Sequence, residues 1–432
     1  MAGIKAEWDT LRKLSVHRPG IEMYFGLLSP EESLYERAFD MSKAQWEHDM
    51  LRHILRHEFK IEVTRLENTI IEAAERDPKI RQKLVKLGME SMHFVGDSSQ
   101  VSITKKEIEE NESVYNPSFF LTSAIMHPTI HLEKTDAEKK VSINVSEHNP
   151  LSNLYFMRDQ QAVTDKGIVM SRMSKPQRSG EPKLTKFLWE IMNEKIAYEI
   201  QPEATFEGGD FIPMKDFALL GNGDRTNNEG VKQMLAKGLD FDEVGVVHQP
   251  NHPLIPSEKP DPMIDMHLDT YFNVASSNTV IGSGLLLKRA RVDIYIKQEK
   301  GKYKKVPKTT NLYDYIKSKG FNVISLTTLE QMSYASNFLA VKDGTIIAID
   351  VSRIVRKVLE DLEFKAKINP YMYKALFMEA KKDYEILKSS GEFFPSKHTI
   401  YQNGIDAYMI NVTNLTGGYG GAHCMTAALK RG

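Results

Sequence analysis

Apolar positions in the first 90 residues recur at two spacings. Residues 12–18 alternate weakly and stop at Pro19-Gly20, which predicts a first strand ending in a turn. Residues 31–59 place Leu34, Ala38, Phe39, Met41, Ala44, Trp46, Met50, Leu51, Ile54 and Leu55 at helical spacing and predict an amphipathic helix of one or two segments. Ile61 to Val63 predicts a short strand, and 67–90 a second helical stripe. From about 100 to 145 the pattern is polar and mixed, predicting helices and loops outside a core rather than sheet interior. From Asn153 onward short β-rich runs alternate with helices. Strands are predicted at 167–171, 217–220, 244–247, 279–281, 292–296, 322–326, 337–341, 345–350 and 406–412, with helices at 183–198, 226–238, 309–319 and 352–390. Repeated strand–helix alternation means an α/β fold.

Composition narrows the class. The 432 residues suggest two or three domains at ~150 residues each, a prior that large α/β folds often break. Hydrophobic residues make up 41% and charged residues 27%, ordinary globular usage. Lys+Arg is 57 against Asp+Glu 58, so no global basic field exists to hold nucleic acid or an acidic membrane. The basic run 297–308 reads as a solvated hairpin around Gly301. One cysteine, Cys424, leaves no internal disulfide and no multi-cysteine metal site. No apolar run approaches the ~20 residues of a membrane span, and the opening MAGIKAEWDTLRKL lacks the apolar core of a secretory signal. A soluble cytoplasmic protein, forming a homo-oligomer, is the expectation.

Candidate chemistry lies in four clusters. Leu415 to Met425 is a glycine-dense loop running into Cys424; glycines permit close backbone approach to a ligand, and a thiol there is placed to be a nucleophile, although a free cysteine is more often structural. His423 precedes it, and neighbours in an extended chain point to opposite faces, so His423 reads as packed behind the site. On a strand, His267 and Asp269 would share one face with Leu268 in the core. Glu207-Gly-Gly-Asp210 implies a bend whose carboxylate could orient an imidazole. Along 153–159, alternation would put Asn153, Tyr155, Met157 and Asp159 on one face and Phe156 and Arg158 on the other. Arg178 and Arg225 are further polar points in loops.

In order along the chain, NLYFMRD at 153–159, FEGGD at 206–210, GNGDRT at 221–226, MHLDTYF at 266–272 and GGYGGAHCM at 417–425 resemble the arginine deiminases, within the guanidino-group-modifying enzymes. VHRPG at 16–20, LLSP at 27–30, AFD at 38–40 and AQWEHD at 44–49 are similar to the opening of those enzymes. The resemblance covers most of the chain, is weak in 90–150 and is absent over about 355–400. It implies one α/β catalytic domain over 1–432, a five-bladed pseudosymmetric propeller (pentein) of ββαβ units, with a helical insertion at about 68–148. It also implies Cys424 as nucleophile, His267 as general acid/base, Glu207 as its orienting partner, and Asp159 and Asp269 as the guanidinium clamp. Asn153, Arg178 and Arg225 would sit near the α-carboxylate and Phe156 along the aliphatic stem. Where these enzymes usually carry an arginine five positions before the cysteine, this chain has Tyr419, leaving a hydroxyl in place of a charge. Its Arg158-Asp159 is followed by Gln160 rather than proline, and the helical segment about 355–392 stands where they have a short connection.

The expected reaction is hydrolysis of L-arginine to citrulline and ammonia, without metal or organic cofactor. A guanidinium is planar and cationic; two carboxylates can fix its plane and a thiolate can attack its carbon. Alternatives are an amidinotransferase, an arginine dihydrolase giving ornithine, a hydrolase using a divalent cation on Glu207, Asp210, His267, Asp269 and His423, and a non-catalytic arginine sensor.

Overall fold

The computed structural model describes residues 3–134, 141–256 and 266–432. It is mixed α/β, with six sheets among the described residues. In four of them a hairpin is followed by helix and then by a strand parallel to the hairpin's second arm. These are Gln161–Thr164, Gly167–Met170 and Ile196–Glu199; Phe211–Met214, Phe217–Asn222 and Glu243–His248; Phe272–Ser276, Thr279–Ser283 and Asn322–Leu326; and Leu339–Lys342, Thr345–Ile349 and Asp406–Ile410. A fifth sheet has the same order built across the two ends of the chain. Ala427–Arg431 pairs antiparallel with Leu11–Val16, which after the helix Met41–His57 pairs parallel with Glu62–Arg65. Parallel pairing needs a crossover, and the intervening helices supply it.

The second sheet of this series is extended. Arg291–Lys297 pairs antiparallel with Glu243–His248 and carries Tyr303–Asn311 at its edge. The turn between these two strands holds Gly301 at φ +70, as the basic run predicts. The long helical prediction at 352–390 is two helices, Val351–Ile368 and Pro370–Ser390, because Pro370 lacks the N–H needed to continue the first. Their buried stripes, Ile354, Val355, Val358 and Leu362 facing Leu376, Ala380 and Leu387, join the largest core cluster.

Three expectations change. The helix expected over 31–59 begins only at Met41, where Asp40 caps it by accepting from the Lys43 N–H at 3.0 Å. The segment 29–40 is loop and turn, preceded by the helix Ile21–Leu28. The helix expected over 183–198 ends at Ile191, and Ile196–Glu199 is a strand. The region 100–145 is not only helix and loop. Its helices Ser98–Glu110 and Pro117–Met126 lead to Pro128–Lys134, which pairs with His93–Gly96 and Val141–His148 in the sixth sheet.

Candidate active site

The turns just ahead of the four hairpins, and the turn ahead of Ala427–Arg431 in the fifth sheet, carry buried polar groups. Asp159 precedes Gln161–Thr164, Glu207 precedes Phe211–Met214, His267 and Asp269 precede Phe272–Ser276, Asn337 precedes Leu339–Lys342, and Cys424 precedes Ala427–Arg431. These turns bond to one another. Gly208 N–H donates to Asp159 O at 3.0 Å, Arg158 N–H to Cys424 O at 3.0 Å, and His423 N–H to Asn337 O at 3.2 Å.

Residues 152–159 form successive turns, with Leu154 N–H donating to Leu151 O and Phe156 N–H to Asn153 O. The expected strand alternation is therefore replaced by a spacing of three, and Asn153, Phe156 and Asp159 line the pocket together. Likewise His267 and Asp269 sit not on a strand but at the 3-10 turn Leu268–Thr270. Leu268 remains in the core, while His267 faces Glu207 and Asp269 faces the cysteine.

His267 Nε2 lies 2.8 Å from Glu207 Oε2, and its Nδ1 is 3.7 Å from Asp159 Oδ1. Glu207 Oε1 accepts from the Ser174 N–H at 2.9 Å, which fixes the carboxylate. Burial works against a charged imidazole, but Asp159 and then Glu207 overcome it, and the pKa of His267 rises to about 9. The Cys424 thiol is pushed up by burial and then by Asp269 and Asp159. Its Sγ lies 3.5 Å from Asp269 Oδ2 and accepts from Asn337 Nδ2 at 3.0 Å. His423 Nδ1 donates to Asp269 Oδ2 at 2.7 Å, so it braces Asp269 rather than facing the sulfur. Burial raises the Asp269 pKa, but the His423 contact outweighs it and holds that carboxyl below its ordinary range.

The remaining expected residues divide. Arg178 donates to Asp159 Oδ2 at 2.7 Å and forks onto Glu181, so its charge is already committed. Arg225 lies 3.8 Å from Glu207 and 3.4 Å from Asp224. Tyr419 lines the same pocket as Arg225, Leu34 and Gly418. Lys365, from the Val351–Ile368 helix, has its Nζ 5.9 Å from the Tyr419 ring. The cavity enclosed by these groups is about 20 Å³, room for roughly one water. Two carboxylate oxygens are buried without a hydrogen-bond partner among the described residues: Asp159 Oδ1, on a residue lining this cavity, and Asp269 Oδ1, on the carboxylate beside the Cys424 sulfur.

Among the described residues, one group, Asp159, Glu207 and His267, offers possible metal-ligand atoms within 4.8 Å of one another. The guanidinium groups of Arg178 and Arg225, 4.0 and 3.8 Å from Glu207, place two positive charges against it and disfavour a divalent cation. The five-residue metal set considered from sequence does not form such a group. Asp210 is taken by Thr226 at 2.6 Å and by the Leu268 N–H at 3.0 Å.

The arginine deiminase family model matches residues 31–431. The chain belongs to the arginine deiminase family. The arginine deiminase of Halobacterium salinarum is 23% identical over 501 residues, covering 99% of this chain and 96% of its own. That of Streptococcus sanguinis is 24% identical over 387 residues, covering 82% and 90%. Among solved structures, the product-bound N-terminal domain of ArgZ, an arginine dihydrolase from the ornithine–ammonia cycle in cyanobacteria, aligns over 98% of both chains. Its TM-score is 0.51 at 12% identity, a likeness of fold.

Within this arginine deiminase family site, sequence reading passed over Asn337, Glu181 and Glu7. Glu7 bonds Arg431 at 2.7 Å and lies 3.3 Å from His423 Nε2, behind Asp269. The available signal for Asn337 was a Ser-Asn pair opening an apolar strand; for Glu181 it was an acid one helical turn after Arg178.

Proposed function

We propose that the protein hydrolyses L-arginine to citrulline and ammonia through a covalent intermediate on Cys424. One observation carries the reading: two buried carboxylate oxygens have no hydrogen-bond partner among the described residues, Asp159 Oδ1 on a residue lining the pocket with Cys424 and Asp269 Oδ1 on the carboxylate 3.5 Å from its sulfur. A buried acceptor without a donor is costly, and a planar cation with paired N–H groups satisfies both. Arg178 holds the far oxygen of Asp159 and His423 that of Asp269, leaving one oxygen of each for substrate. Asn153 and Arg225 take the polar end of the amino acid, Phe156 its stem, and Tyr419 the outer wall.

The bound guanidinium offsets the two negative charges that hold the thiol neutral, and the thiol proton is lost to solvent. The thiolate adds to the guanidino carbon. His267, as imidazolium, gives its proton to one NH2 group; the C–N bond breaks and ammonia leaves a cationic thiouronium on Cys424. Neutral His267 then removes a proton from water as its oxygen adds to the same carbon. The C–S bond breaks, the thiolate is restored, and citrulline departs once its extra proton passes to solvent or ammonia. Glu207 orients the imidazole throughout.

The same reading takes the five like-ordered sheets as blades of a pseudosymmetric propeller of ββαβ units within a single catalytic domain, 1–432. Residues 68–148 are then an insertion that includes the sixth sheet; 135–140 of it lie outside the described residues. The supporting feature is the common position of the site-bearing turns, one ahead of each antiparallel pair.

Incubating the purified protein with arginine, agmatine and methylated arginines, and identifying products by mass, tests the reaction. Citrulline from arginine is expected, in excess chelator as well; ornithine would redirect the assignment and no product would overturn it. Cys424→Ala should reduce turnover by about 10⁴-fold or more while arginine still binds by calorimetry.

A further inference from the structure

We infer that Asn337 is a catalytic residue of this site: its side-chain amide donates to Cys424 Sγ and stabilises the thiolate. The inference rests on the arginine hydrolysis proposed above and supplies a group that reaction needs.

Asn337 is fully buried. Its Oδ1 accepts two backbone N–H groups, Gly421 at 2.8 Å and Cys424 at 3.0 Å. Backbone N–H groups only donate, so the amide has one orientation; a flip would set its NH2 against two donors. With the oxygen so anchored, Nδ2 points at Cys424 Sγ, 3.0 Å away, and at Asp269 O, 3.3 Å away. The Asn337 carbonyl also accepts from the His423 N–H at 3.2 Å. Main chain and side chain together clasp the Gly421–Cys424 turn. The donor is therefore held in place before reaction, as electrostatic stabilisation requires.

The surroundings explain why the donor is neutral. The sulfur sits 3.5 Å from Asp269 Oδ2, and burial together with the neighbouring carboxylates favours the thiol. A lysine or arginine here would offset that, but it would also pair with Asp159 or Asp269 and occupy the place of the substrate cation. An amide N–H stabilises a developing charge on sulfur without competing for the carboxylates. Topology supports the assignment independently. Four of the five turns that lead into the antiparallel pairs carry Asp159, Glu207, His267 with Asp269, and Cys424; the fifth carries Asn337.

The test uses the full-length protein and two variants. Asn337→Asp keeps the oxygen that accepts from Gly421 and Cys424 but replaces the donor; Asn337→Ala removes both. Because Cys424 is the one cysteine, iodoacetamide labelling followed by mass reports it alone across pH. In both variants the labelling midpoint should move up by about one pH unit and kcat for arginine should fall about 100-fold. Arginine affinity measured on the Cys424→Ala background should stay within about threefold for Asn337→Asp, since the oxygen that anchors the Gly421–Cys424 turn is kept and the lost N–H groups faced the sulfur and the Asp269 carbonyl rather than the substrate. A midpoint that does not move in either folded variant overturns the inference, whatever happens to kcat, because a merely structural asparagine would slow turnover without altering the thiol. Wild-type protein that makes no citrulline, yet shows the shifted midpoint on substitution, would refute the hydrolysis reading and leave Asn337's action on the sulfur standing.

Discussion

Gly209 has no side chain, and the distance between acid and base depends on that. A Cβ built there would lie 2.9 Å from His267 Cγ and 3.0 Å from Asp159 Oδ1, inside van der Waals contact with both. The Glu207-Gly-Gly-Asp210 bend thus lets backbone press against the imidazole. Gly209→Ala should lower kcat about 10–100-fold, as sub-ångström displacement of reacting groups does, with little change in melting temperature. Wild-type kinetics in this variant would show that the imidazole has slack. The chemical types at Cys424, His267, Glu207, Asp159 and Asp269 were readable from motifs. Their facing was not, because strand alternation was assumed where the backbone makes turns. Phe156, expected opposite Asn153 and Asp159, shares their face for that reason.

The short strands were the more legible elements and the helix limits the less, and the hairpin Val351–Ile368 with Pro370–Ser390 is where this chain departs from the short connection expected of its relatives. The hairpin lies between the parallel strands Thr345–Ile349 and Asp406–Ile410, so it serves as their crossover. It also brings Lys365 to the Tyr419 ring. Arg178 is spent on Asp159 and Glu181, and Tyr419 carries no charge, so the prediction is that Lys365, 5.9 Å from the Tyr419 ring, supplies the cation for a substrate carboxylate. Lys365→Met should raise KM for arginine about tenfold, the equivalent of ~1.4 kcal/mol for one charge-assisted hydrogen bond. Neither kcat nor KM for agmatine, which lacks the carboxylate, should change. An equal rise for agmatine would mean that Lys365 acts by packing. The loop at 29–40 shows the opposite case. Its apolar positions fit a helix, but the Asp40 cap starts the helix later, and Leu34 instead closes the pocket at φ +59.

The whole molecule gathers polar groups from five sheets into one buried site, charged groups among them, and pH acts on that assembly. The folded pKa of His267, about 9, lies above the ordinary 6.5, so the folded protein holds this proton more tightly than the unfolded chain. The resulting stabilisation is complete below pH 6.5 and is lost as pH rises through 9. It amounts to about 3 kcal/mol. Denaturant melts of wild type and His267→Gln should therefore differ most at pH 6 and converge by pH 10. A gap independent of pH would show that His267 is not held as imidazolium in the fold.

Residue types, their order and the alternation of short strands with helices were enough to establish an α/β chain of the arginine deiminase kind, because periodicity and motif spacing are local properties. Tertiary structure alone decided that Asp159 and Asp269 each keep one oxygen open and that Arg178 is already paired. It alone revealed the fifth turn, which brings an amide to the sulfur. Those facts depend on hydrogen bonds between segments far apart in the chain, such as Asn337 to Cys424 and Glu207 to His267. Packing chooses such partners, and no local window of sequence contains both ends of the bond.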